Sequence, residues 1–271
     1  MTRVSRLPLG HRCLMGAALL IAGTPAAHAA GSLLLIDAPP ATTTWSGGLS
    51  VRGWPRAPGS GRQRLGLLPA IDYESPTGFF AATDAGIGWN LAPALLSGAA
   101  AKDWQLGLRW WPQSGRPRRE SPPGVDSLGT RVITEAFANV QVLPVLLLQS
   151  GLSWGSGRHR DGGELELGAT SGIPLGDDLL AVSVAATYAN AAHLRGSFGV
   201  RATAPGGLPE WHPGSGWQDW SIAFSGEHKF SADWSVSGQW LQARLIGQAA
   251  RSPLAHSRDQ PSFMVSLWHR F

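Results

Sequence analysis

From residue 43 to the end of the chain, apolar and polar residues alternate in short runs broken by Gly, Pro, Asp and Ser clusters. The period is 2, the repeat of a strand with one apolar face, and not the 3.6 of a helix. The pattern predicts strands near 43–54, 62–73, 78–91, 103–112, 131–142, 145–155, 163–174, 179–191, 218–230, 233–246 and 261–271. In 218–230, Trp220, Ile222, Phe224 and Phe230 fall on one face; Ser221, Ala223, Ser225, Glu227 and Lys229 fall on the other. In 163–174, Leu165, Leu167, Ala169 and Ile173 oppose Glu164, Glu166, Thr170 and Gly172. A soluble β-sandwich would show the same alternation with its apolar face turned inward, so alternation alone leaves both architectures open.

The connections separate them. Short turns, such as Ser75–Gly78, Leu175–Asp178 and Ser231–Asp233, alternate with long polar segments near 113–130, 156–162, 192–217 and 247–260. Short turns on one side and long loops on the other are the rule in transmembrane barrels, where the short ones face the periplasm. The expected fold is therefore all-β: an antiparallel up-and-down transmembrane barrel of the bacterial outer membrane. Eleven runs are one too few or too many, because both ends of such a barrel normally lie on one side of the membrane. Gly86 and Gly88 make 78–91 the run most open to division into two strands. The expectation is ten to twelve strands, with twelve preferred.

Both chain ends fit this reading. In the last run Phe263, Val265, Leu267, His269 and Phe271 share a face, and the chain stops on the aromatic residue, in the manner of a barrel-closing strand that signals to the barrel-assembly machinery. At the other end Arg3, Arg6 and Arg12 precede an apolar run from Cys13 to Ile21, and Ala27-His28-Ala29 forms a small-x-small cleavage site. These features predict a secretory signal peptide over 1–29, a periplasmic lead-in over 30–41 and a barrel over 42–271, with the C-terminus periplasmic. No stretch reaches the roughly 18 consecutive apolar residues of a membrane helix.

Composition changes the picture in two places. Charged residues make up only 15% of the chain, against about 25% in soluble domains, as a lipid-facing surface requires. Cleavage would remove the only cysteine, leaving neither disulfide nor thiolate metal site, and the loss of three arginines would lower the formal net charge from +4 to +1. A nearly neutral chain gives no argument for binding nucleic acid. No cofactor-binding or metal-binding spacing is found.

Leu68-Pro69-Ala70-Ile71-Asp72-Tyr73, followed by Gly78-Phe79-Phe80, is similar to the "LPLIDYRYGDRFF" region of the MipA/OmpV family of outer-membrane proteins. Pro55, Gly59 and Ser60 stand where the family has "PEYEGS", without its Glu and Tyr. Phe198-Gly199-Val200, Gly207-Leu208-Pro209, Gly214, Gly216 and Asp219 follow "FGV…GLP…G.G..D". Trp234-Ser235, Arg244-Leu245-Ile246-Gly247 and Ser252-Pro253 match its penultimate strand and loop, and His269-Arg270-Phe271 stands for its closing "YRF". The resemblance implies a non-enzymatic barrel that scaffolds peptidoglycan remodelling by a lytic transglycosylase and a bifunctional penicillin-binding protein. It brings no catalytic residues.

Candidate chemistry beyond the family is sparse. Glu164, Glu166, Glu227, Lys229, Arg244 and Arg270 are expected to face the lumen, where they would pair and plug it or line a small-solute channel, the alternative function. Of the histidines left after cleavage, His159, His193, His212 and His256 fall in or beside loops and are expected to be solvated; His228 and His269 sit near strand ends among aromatics. No Ser, His and acid stand at a recognisable spacing, which leaves a lipid-modifying barrel enzyme as the weakest reading. The basic segment Arg116–Ser121 is a candidate contact for lipopolysaccharide phosphates.

Overall fold

A computed structural model describes residues 39–98, 100–113, 115–156, 161–176, 178–201 and 207–271; the expected signal segment with Ala27 and Ala29 lies outside them. Twelve strands run β1 (Thr44–Pro55), β2 (Gln63–Glu74), β3 (Phe79–Ala82), β4 (Gly86–Asn90), β5 (Trp104–Gln113), β6 (Arg131–Leu143), β7 (Leu146–Trp154), β8 (Gly163–Leu175), β9 (Asp178–Ala189), β10 (Gly216–Lys229), β11 (Trp234–Leu245) and β12 (Asp259–Arg270). Each pairs antiparallel with its sequence neighbours, and β12 returns to β1 with Ser46 opposite Arg270 and Gly53 opposite Phe263. The sheet is a closed barrel, which leaves no strand without a neighbour on each side.

The twelfth strand comes from the run 78–91. It folds back as a hairpin of four and five residues, turning at Thr83-Asp84-Ala85. Gly86 sits at that turn with φ +81, and a Cβ there would lie 2.3 Å from the Trp110 carbonyl oxygen, so both conformation and space require glycine. The other ten strands have 9 to 14 residues, enough to cross a bilayer at a tilt; the hairpin strands are about half that length.

The outer surface reads as two aromatic girdles around an aliphatic band. At the end carrying the short turns lie Trp45, Trp89, Trp104, Phe230, Trp234 and Phe271, all outward. At the end carrying the long loops lie Trp110, Trp154, Tyr188 and Trp217. Leu, Ile and Val, with Phe224, Trp240 and Phe263 among them, fill the space between the girdles. This surface suits a membrane barrel, in which aromatics settle at the two interfaces and aliphatics meet hydrocarbon. No described helix is long and apolar enough to cross a membrane.

Three short helices lie in connections: α1 (Ala92–Leu95) and α2 (Ala100–Asp103) at the turn end, and α3 (Ala191–Phe198) at the loop end. The Asn190 carboxamide oxygen accepts the His193 N–H at 2.8 Å and caps the start of α3.

Candidate functional site: the lumen and its loop-end lid

The inward face of the strands is polar but almost dry. Arg52, Arg109, Asn139, Gln149, Thr170, Ser183, Ser221 and Ser266 are all buried, interleaved with Ala181, Ala185, Ala223, Leu241, Met264 and Trp268. A water-filled pore would leave its lining exposed; here side chains fill the bore. Apart from Arg52, their polar atoms find partners among each other and their neighbours, as burial demands. The Ser50 and Ser266 hydroxyls bond across β1 and β12 at 2.7 Å. Thr170 donates its one proton to Gln149 at 2.7 Å, so Ser183, also at 2.7 Å, donates to Thr170. The Trp268 indole donates to Ser237 at 3.0 Å. At the centre Arg109 clasps Glu135 through two bonds of 3.0 and 2.9 Å, and its guanidinium lies 4.5 Å from the Trp111 ring centre. Arg52 lies 5.0 Å from the Trp54 ring centre, and its Nε and one terminal nitrogen find no hydrogen-bond partner among the described residues.

The loop end is closed by chain that folds back over the bore. Leu194 and Phe198 of α3 are fully buried against Ala189, Leu245 and Ala249. A second apolar cluster joins Val125, Val200 and Leu254 from three different loops. Ser252 donates to the Phe198 carbonyl at 2.6 Å, and Arg116 donates to the carbonyls of Ser197 and Asp126, each at 3.2 Å. Burial lowers the Arg116 pKa to about 10, with Asp126 opposing the shift.

Beneath α3 the fold assembles groups far apart in sequence. The Ser156 hydroxyl lies 2.6 Å from His193 Nδ1, and Glu164 Oε2 lies 3.3 Å from the same nitrogen. Gln218 reaches both Glu164, at 3.4 Å, and Asp219, at 2.9 Å; Asp219 also accepts from Thr187 at 3.1 Å. A serine, a histidine and a carboxylate suggest a catalytic triad, but that relay needs hydroxyl and carboxylate on opposite ring nitrogens. Here Ser156 and Glu164 converge on one nitrogen; Ser197 Oγ does stand 3.4 Å from the other, Nε2, but Ser156, His193 and Ser197 are only 1%, 1% and 4% exposed. The arrangement ties the lid to β8 and, being buried, gives a substrate no approach to either hydroxyl.

The residues singled out from sequence distribute as follows. Glu164 is buried on the inward face, and Glu166 is half-buried two residues along the same face. Glu227 is half-buried and Lys229 exposed at the turn end of β10. Arg270 is exposed at the same end, within electrostatic reach of Asp72 and Glu74. Arg244 departs from the expectation: Leu241, Ala243 and Leu245 take the inward side of β11, so Arg244 projects outward and meets the exposed Asp259 at 3.1 Å. The reversal follows from the lid, whose apolar underside selects apolar neighbours on the inward face. His193 is likewise not solvated but buried. His159 lies outside the described residues.

On the closing strand Phe263, Val265, Leu267 and Phe271 are exposed outward. Phe271 stacks on Trp45 at 4.0 Å and donates its N–H to the Trp45 carbonyl at 3.2 Å. His269 sits between Trp234 and Phe271, 4.7 and 4.5 Å away. Sequence reasoning missed Arg109, Glu135, Ser156 and the lid contacts: the first two meet through the register of β5 on β6, and Ser156 and the lid meet only where the loops fold back. Among the described residues no group of three His, Cys, Asp or Glu could hold a metal ion.

Among solved structures, the NanC porin aligns at 10% identity over 85% of this chain and 100% of its own, with a TM-score of 0.37. The anion-selective porin from Comamonas acidovorans aligns at 10% identity over 85% of this chain and 99% of its own, with a TM-score of 0.34. OmpT of Vibrio cholerae aligns at 5% identity, covering 84% of this chain and 97% of its own, with a TM-score of 0.33. No curated protein matches. The family model described as MltA-interacting protein MipA matches residues 47–271, nearly all of the barrel, and the chain belongs to that family.

Proposed function

We propose that this protein is a non-enzymatic outer-membrane barrel that holds peptidoglycan-remodelling enzymes at the membrane: a lytic transglycosylase and, with it, a bifunctional penicillin-binding protein. The family's name supports the first partner, since MltA is a lytic transglycosylase. The observation that carries the reading is the filled bore: a barrel closed by Arg109–Glu135 and by the α3 lid is poorly suited to conduct solutes. The burial of Ser156, Ser197, His193 and Glu164 beneath the lid supports a structural rather than catalytic use of these groups.

A cleaved leader would deliver the chain to the periplasm, and its short turns would face that compartment. The partner would then meet the turn end. There the inward charges are least buried, with Glu227, Lys229 and Arg270 around the mouth, and the α1–α2 connection presents the exposed Leu95. The test is a pull-down of the tagged mature barrel from solubilised membranes. Recovery of a lytic transglycosylase is expected, together with its loss when Glu227, Lys229 and Arg270 are all neutralised. Failure to recover one with both proteins folded and abundant overturns the proposal.

A further inference from the structure

The short β3–β4 hairpin leaves the barrel wall incomplete toward the loop end. β3 pairs with β2 only from Asp72 to Glu74, and β4 pairs with β5 only as far as Trp110. Above them, residues 63–70 of β2 and 111–113 of β5 have no strand beside them on that side. Two missing strands mean three inter-strand spacings, a slot about 14 Å wide.

The edge of that slot is polar. Ile71 both donates to Thr83 Oγ1 and accepts from the Thr83 N–H, so its backbone groups point toward the hairpin. By alternation the backbone groups of Leu65, Leu67 and Pro69 point the same way, into the slot. Leu65 and Leu67 therefore present N–H and C=O groups that no described residue reaches, while their side chains are 73% and 67% exposed, the most of any large apolar residues in the barrel. Proline stands at position 69, and Pro112 stands on the facing strand; each removes one N–H that nothing would accept. Hydrocarbon cannot satisfy the donors that remain, and open sheet edges are not left bare in lipid.

At the loop end, between the β1–β2 loop, the segment after β5 and Leu254 and His256 of the β11–β12 loop, lies a cavity of about 520 Å³. Arg56, Arg62, Arg116 and Arg119 line it, with Glu120 the only acid. Glu120 is already engaged by Arg64 of β2 at 2.8 and 2.7 Å, which ties the loop to the slot's edge. Arg116 is 3% exposed, and its Nε finds no hydrogen-bond partner among the described residues.

We infer that cavity and slot form one binding site for a phosphorylated lipid of the outer leaflet. The arginines take the phosphate, the ester or amide linkages below it meet the free backbone groups of Leu65 and Leu67, and the acyl chains lie along β2. The choice of leaflet rests on the orientation given under the proposed function, but not on any enzyme partner. A partner protein's strand would also pair with the edge, yet it would leave the positive charge gathered at the loop end of β2 unexplained.

The test uses the intact barrel in vesicles of phospholipid and lipid A. A photoreactive side chain replaces Leu67 at the slot or Leu152, outward on β7 and so on complete wall, as control. Lipid A should be captured over phospholipid about tenfold more at position 67 than at 152, the preference falling to parity in R56Q/R62Q/R119Q. Lipid A stripped of phosphate should also lose the preference, and inorganic phosphate should not displace the intact lipid. Equal capture at both positions overturns the proposal, as does capture indifferent to the arginines or to the phosphate. Displacement by inorganic phosphate alone overturns the lipid assignment. All four variant barrels are checked for folding by heat-modifiable mobility, and the conservative R56K/R62K/R119K variant should retain most of the preference.

Discussion

Replacing Glu135 by alanine tests whether the bore is dry. Arg109 and Glu135 are joined by two hydrogen bonds of 3.0 and 2.9 Å, with side chains only 7% and 12% exposed. Removing the carboxylate strands a guanidinium that water cannot easily reach. Breaking a buried pair in this way costs about 3–5 kcal/mol. The Trp111 ring at 4.5 Å and the attraction of Asp84 remain, so the lower end applies: about 3 kcal/mol, or roughly a 150-fold shift in the folding equilibrium. Replacing both residues, as R109L/E135L, removes the orphaned charge and should recover stability to within about 1 kcal/mol of the parent. Reversible urea unfolding in phospholipid vesicles, followed by tryptophan fluorescence, measures each. If E135A loses less than about 1 kcal/mol, water reaches Arg109 and the bore is not filled. A double variant as unstable as the single one would show that volume, rather than the stranded charge, sets the loss.

Two further outcomes follow from the same packing. Deleting Phe271 removes the stacking on Trp45 and the last backbone bond to β1, so the level of heat-modifiable barrel in outer membranes should fall severalfold, whereas deleting a loop residue should not lower it. Phe198→Ala empties a fully buried position under the lid at a cost of about 3–5 kcal/mol, confined to the loops. Proteolysis of the 190–215 loop should therefore accelerate at least about tenfold while the barrel stays intact; equal rates would mean that α3 does not close the mouth.

The lipid-facing half of this fold is legible because hydrocarbon tolerates only apolar side chains, which imposes the period-2 signal on long strands such as β10 and β12. The hairpin is harder to read: between Phe79 and Asn90 only Thr83-Asp84 interrupts the run of small and apolar residues, and its turn at Asp84 carries no Pro and no Asn-Gly pair. Only strand parity and the two glycines mark it. The lumen is read worst. Polar residues there are expected from alternation, but their partners depend on strand register, and for Ser50 and Ser266 on the closure that sets β12 beside β1. Where the loops fold back, the inside becomes apolar, and the rule that places charge inside fails at Arg244. His193 escapes for the same reason, since nothing local distinguishes a loop that folds inward from one in water.

The central claim is that the barrel is filled, and planar-bilayer recording of the purified protein addresses it most directly. The account predicts a silent bilayer over the usual voltage range, with channel steps from a known porin under the same conditions. Reproducible unitary conductance from the intact protein would contradict it and would make the channel the better reading of the charged residues at the turn end.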